Sequence, residues 1–222
     1  KEKFNVSYTS YIEIISKNKR REKVHRDLDE IIKSGKLIVA LRDRKFIYQE
    51  GGEKQPMHAL AEEFAEYLGV SLEYVISPSV NKYWETEDGK LVRDSAYTPD
   101  WFNYFDVACE IFSRLEWREK KINFVPVYPS EYSVIAKKGT VIKQIKDLEK
   151  LKCVTSKGSA YEDILAKNNL KNFYYESTSN FLNDVRTGKA DYTIMDNVLP
   201  EMPNYPELEP KLSLGKVDIC WG

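Results

Sequence analysis

The 222-residue chain carries a formal net charge of -1, with 31% charged and 13% aromatic residues. That is the balance of a folded globular chain, and without a basic excess it argues against a general nucleic-acid binder. No apolar run approaches the ~20 residues that cross a bilayer, and the length suits one large domain or two small lobes.

Tyr8, Tyr11, Ile12 and Ile15 recur at helical spacing, so residues 1–26 are predicted to be a helical appendage. The largely basic stretch Lys17 to Lys23 is either its solvated end or a surface for an anionic partner. Asp27 to Gly35 has both signals of a short helix: Asp27 to cap it, Gly35 to stop it, and Leu28, Ile31 and Ile32 as its apolar face. Lys36 to Leu41 (KLIVAL) reads as a buried strand. A polar loop with Phe46 and Tyr48 follows. Gln55 to Gly69 is an amphipathic helix with Leu60, Phe64, Ala65 and Leu68 inward. Val70 to Ile76 is the next strand, and strand, helix, strand implies a βαβ unit with a parallel sheet.

Ser77 to Tyr104 is unusually aromatic, with Asp88-Gly89 as a candidate hairpin tip. Its Trp and Tyr side chains are either a satellite core or the roof of a ligand pocket. The chain then turns on Asp106 to Gly139. Val107 to Cys109 is a strand, Arg118 sits in a turn of mixed charge or the start of a helix, and Tyr132 to Ala136 is a second strand. Such a stretch can line a cleft with one Arg and leave for a second lobe.

Beyond Gly139, Ile145 to Leu151 is a short helix and Lys152 to Thr155 a strand. Gly158 and Ser159 open a helix from Ala160 to about Lys167. Free N–H groups, a hydroxyl and the helix dipole there suit an anion. Equally, Ser159 is an N-cap with Glu162 completing a capping box. Asn172 to Tyr175 is a strand, Ser179 to Thr187 a helix, and Ala190 to Met195 a buried strand that delivers Asp196 at its C-terminal end. Ligands of open α/β sheets lie just beyond such ends, which makes Asp196 a candidate for holding a cationic group, or else a turn-former before Pro200. Val198 to Leu212 reads as a meandering connection, and Val217 to Trp221 as a last strand.

Four stretches, in this order and spacing, resemble the bacterial extracellular solute-binding proteins of family 3: Asp27 to Leu41, Phe105 to Phe124, Leu148 to Leu165 and Phe181 to Asp196. The resemblance covers about Asp27 to Gly222. It implies an α/β periplasmic-binding-protein-like fold of type II, with each lobe a mostly parallel sheet flanked by helices. One lobe would be 27–137 with 214–222 and the other 138–213, closing by a hinge motion. It further implies that Arg118 grips a ligand carboxylate and that Gly158 and Ser159 add donors to it. Asp196 would pair with an α-amino group, and Phe46 and Tyr48 would stack on the ligand. The chain departs from the family in having Gln55 to Ala59 at the start of the large helix, and Leu115 where a Thr or Ser precedes the Arg. Pro99 to Asp106 and Leu115 to Lys121 look more like the solute-binding-like module of membrane-bound lytic transglycosylases.

The implied setting is periplasmic or extracellular: a transport receptor, a sensor domain, or the regulatory module of a cell-wall lytic enzyme. The implied partner is a small polar ligand bearing a carboxylate, with a membrane tether or a downstream catalytic or signalling domain beside it. The chain starts at Lys1, and we expect it to be a processed segment of a longer protein. No cofactor or metal is expected. His25 and His58 lack metal-ligand spacing, and Gly-rich phosphate motifs and a nucleophile elbow are absent. An enzyme of the cyclohexadienyl dehydratase kind on the same fold would need Asp196 or Glu110 as its acid–base group. Cys109, Cys153 and Cys220 are expected to be free thiols, with Cys109 and Cys153 in apolar strand-like runs.

Overall fold

The computed structural model describes residues 6–10, 26–42, 56–77, 80–86, 88–93, 97–176, 180–196 and 202–222. The chain divides into two compact units, residues 1–125 with 220–222, and residues 126–219. Phe46, Tyr48 and the basic stretch Lys17 to Lys23 lie outside the described residues.

In the first unit the strands β1 (Val6–Ser10), β2 (Lys36–Arg42), β3 (Ser71–Ser77) and β4 (Val107–Ala108) form one sheet in the order β1-β3-β2-β4. Every pair in it is parallel. Helix α1 (Leu28–Ser34) leads into β2, and α2 (Pro56–Leu68) links β2 to β3, which is the expected βαβ unit. The place of β1 corrects the helical expectation for Tyr8. Tyr8 pairs with Tyr74 in parallel register, because the outer edge of β3 offers N–H and C=O partners that an isolated helical turn would lack.

Both signals of α1 operate as expected. The Asp27 carboxylate accepts from the Glu30 N–H at 2.9 Å, the Glu30 carboxylate accepts from the Asp27 N–H at 3.0 Å, and Gly35 closes the helix in the left-handed region. The helix faces inward differently than predicted, since Ile31 is buried while Leu28 and Ile32 are exposed. In α2 the buried positions are Met57, His58, Ala61 and Ala65, and Leu60 is exposed rather than inward. Two alanines four residues apart let the helix approach the sheet closely, and a side chain ~100° round the helix from Ala61 then points outward.

The aromatic segment is a core. Tyr83, Trp84, Trp101, Phe105 and Phe112 are buried in one cluster with Ile38, Ala40, Val75 and Ala108, and Phe102 packs against it. Tyr83 is its hub: Phe112 lies at 5.0 Å and Phe105 and Trp101 at 5.9 Å between ring centroids, all edge-on. A bidentate pair fastens the chain beneath it. Arg26 donates from Nε and Nη2 to Asp106 at 3.1 and 2.6 Å, and the Ile38 N–H donates to the same carboxylate at 2.7 Å. Two further elements belong to this unit, β5 (Phe112–Ser113) and the short helix α3 (Glu116–Glu119).

The second unit is built on β6 (Val125–Lys137), β7 (Cys153–Thr155), β8 (Phe173–Tyr175), β9 (Tyr192–Asp196) and β10 (Leu208–Trp221), in the order β10-β6-β9-β7-β8. β9 runs parallel to β7 and antiparallel to β6, so the sheet is mixed. Helices α4 (Ala160–Lys167) and α5 (Phe181–Thr187) follow β7 and β8. Phe181, Leu182 and Val185 of α5 join Ile135, Val154 and Met195 in the core. Two strands run much further than expected. β6 extends seven residues before Tyr132, and β10 absorbs Leu208 to Leu212, which corrects the reading of that segment as part of a meander. Their extra residues are mostly exposed or half-buried and include Pro126, Pro129 and Pro210, so neither an apolar run nor a period of two marks them.

Candidate functional site

Asp196 is the last residue of β9, opposite Tyr132 of β6 in the antiparallel register. It is 8% exposed. Oδ2 accepts from the Tyr161 hydroxyl at 3.1 Å, and Oδ1 is buried with no hydrogen-bond partner. Burial raises the carboxyl from its ordinary 3.8 to about 6, against a smaller lowering by the Tyr161 hydrogen bond. The surroundings are phenolic. The Tyr132 and Tyr161 rings meet edge-on at 5.9 Å. The Tyr161 hydroxyl is pushed well up, first by burial and then by the Asp196 charge, and Tyr128 is raised by the same two causes. A buried carboxylate with a spare oxygen and aromatic neighbours is suited to a cationic group that brings its own N–H donors.

Gly158 and Ser159 precede α4, with Gly158 in the left-handed region at φ 75°. Ser159 is the N-cap: its Oγ accepts from the Glu162 N–H at 3.3 Å and donates to the Ser156 carbonyl at 2.8 Å. The Gly158 N–H donates to Glu162 Oε2 at 2.6 Å, and the Tyr175 hydroxyl donates to Oε1 at 2.8 Å. The expected capping partner is therefore present, but its carboxylate bonds the residue before the cap. Both donors proposed for a ligand anion are engaged within the chain.

Arg118, in the first unit, is 5% exposed. It lies in the short helix α3, its Nη1 donates to the Ser113 carbonyl at 3.2 Å, and its guanidinium stacks 4.7 Å from the Trp84 ring and 5.0 Å from the Trp117 ring. Glu110, the other proposed acid, is buried and accepts from the Tyr83 hydroxyl at 3.3 Å. All three cysteines are buried free thiols; burial pushes Cys153 up to about 12 and Cys109 well above its usual value. Among the described residues no cluster of His, Cys, Asp and Glu could hold a metal, and no helix is long and apolar enough to cross a membrane.

Sequence reasoning singled out Asp196 but missed Tyr132 and Tyr161 beside it. The order of the motifs held a usable signal for Tyr161, since a Tyr two residues past a Gly-Ser cap lies in the first turn of a helix that follows a strand parallel to β9.

No protein-family model and no curated protein matches the chain in sequence. Solved structures do match it. The arginine-bound form of truncated ArgBP from T. maritima superposes with a TM-score of 0.65 at 20% identity, covering 87% of this chain and 90% of that one. A solute receptor for L-cysteine from Neisseria gonorrhoeae gives 0.65 at 17% identity, over 88% and 80% of the two chains. An ancestral amino acid-binding protein, a precursor of cyclohexadienyl dehydratase, gives 0.65 at 21%, over 87% and 84%. The chain has the type II periplasmic-binding-protein fold. The α/β expectation drawn from the βαβ pattern and the four motif stretches is thus met, with the mixed sheet of the second unit as its main elaboration.

Proposed function

We propose that the chain is an extracytoplasmic ligand-binding module that takes a small amino-acid-like molecule, with Asp196 receiving its ammonium group. The observation that carries this reading is the Asp196 carboxylate, nine-tenths buried, with one oxygen lacking a partner. A buried, half-satisfied carboxylate lowers stability, and groups of that kind concentrate at binding sites. Its position beyond the carboxyl end of a strand fits the general rule for ligands of α/β sheets. Arginine and L-cysteine, bound by proteins of this fold, set the scale of ligand we have in mind.

We place the module in a transport receptor or in the sensor or regulatory part of a larger protein.

Isothermal titration of the purified chain with a panel of amino acids and amines tests the reading. Binding should be lost, or weakened at least about a hundredfold, in Asp196→Asn, matching the ~3 kcal/mol typical of an unpaired ion–ion contact at a buried site. An Asp196→Asn chain that binds as tightly as the parent would refute the assignment. Turnover of a prephenate-like compound by the parent chain would replace a binding module with an enzyme.

A further inference from the structure

Glu162 has no part in that binding scheme, yet it occupies a position where an anion would bind. The left-handed turn at Gly158 leads into the N-terminus of α4, the kind of place where backbone N–H groups and the helix dipole favour an anion. A capping box would bring the Glu162 carboxylate to the N–H of the cap, Ser159. Instead the Ser159 N–H donates to the Ser156 carbonyl at 3.3 Å, and Glu162 Oε2 lies 2.6 Å from the Gly158 nitrogen. The Tyr175 hydroxyl steadies the other oxygen at 2.8 Å. One residue earlier on the same helical turn, Tyr161 donates to Asp196, whose Oδ1 is buried and unpartnered. The first turn of α4 thus serves two carboxylates, one complete in its hydrogen bonds and one awaiting a donor.

We infer that Glu162 is a specificity-determining residue: its carboxylate fills the anion position at Gly158, so this unit admits a ligand by a cationic end at Asp196 and turns a carboxylate or phosphate away. The inference rests on the ammonium reading of Asp196. It assigns the second unit to amines as a class, whether or not they carry a carboxylate elsewhere.

The test follows backbone and side-chain resonances of the full chain by NMR during two titrations, one with sodium acetate and one with methylammonium chloride. In Glu162→Ala acetate, followed at the Gly158 amide, should bind at least about tenfold more tightly than in the parent, the effect of one charge-assisted hydrogen bond. Glu162→Gln, whose amide oxygen can still accept from Gly158, should stay like the parent. Equal acetate affinity in all three chains overturns the inference. So does a gain in Glu162→Gln as large as in Glu162→Ala, and so does a Glu162→Ala chain that no longer folds while Glu162→Gln does. Methylammonium reads the other assignment separately: if it fails to shift Tyr161 and Asp196 while the acetate pattern holds, the ammonium reading falls and the role of Glu162 as an internal anion stands.

Discussion

Replacing Asp196 by Asn should make the chain more stable at neutral pH, and by an amount that depends on pH. In the folded state the carboxyl holds its proton up to about pH 6, whereas an exposed Asp releases it near 3.8. Between those values the folded state binds more protons than the unfolded one, so stability falls as pH rises through the window and levels off above it. A displacement of that size corresponds to about 3 kcal/mol. The stabilising contribution of the protonated group is complete below about pH 4 and gone above about pH 7. An amide of the same shape pays no ionisation penalty and can still accept from the Tyr161 hydroxyl. Urea unfolding of both chains from pH 4 to pH 8 measures the difference. The two should be close at pH 4, and the Asn variant should lead by up to about 3 kcal/mol at pH 7.5. Parallel curves, with the same gap at both ends, would show that Asp196 does not titrate as an isolated buried group.

Tyr161→Phe removes the hydrogen bond that lowers the Asp196 pKa. The carboxyl should then titrate above its parent value, seen in its side-chain carbon shift, and the chain should lose ~1.5–3 kcal/mol at pH 7.5 as a charged group loses its donor. Asp106→Ala removes the carboxylate of the Arg26 guanidinium, leaving it the Ser34 hydroxyl and the Lys36 carbonyl, and takes the same carboxylate from the Ile38 N–H. With the Asp106 side chain 1% exposed, the cost should be ~3–5 kcal/mol by urea unfolding, and a loss under ~1 kcal/mol would mean that the pair is not a structural fastener.

The fold was legible where one residue pattern had one structural outcome. Asp27 and Gly35 each carry a local signal that holds whatever packs nearby, and both cap α1. KLIVAL, a short β-branched apolar run directly after a helix stop, reads as a buried strand, and β2 lies between two neighbours. Legibility failed where tertiary contact chose among outcomes. The pattern of α2 permits either Leu60 or Met57 as a core position; Ala61 and Ala65 decide it by allowing close approach to the sheet. Val6–Ser10 becomes a strand because β3 has an edge to fill, information that lies some sixty residues away.

The site divides along the same line. The place of Asp196 at the end of β9 was readable because a buried apolar strand, YTIM, ends on an acid, and strand polarity alone then sets where that acid emerges. The reading of Gly158 and Ser159 as ligand donors followed an equally sound local rule, that helix N-termini attract anions. That rule says nothing of which anion arrives. A side chain tethered three residues along the helix from Ser159 competes at a high effective concentration and pays little ordering entropy, so it prevails over a free ligand of the same chemistry. Glu162 accepts from the Gly158 N–H, so within this chain the rule is met by a side chain. Distinguishing a cap from a ligand cradle therefore requires knowing whether the third helical residue carries a carboxylate and whether some other group, here the Tyr175 hydroxyl, holds it over the turn.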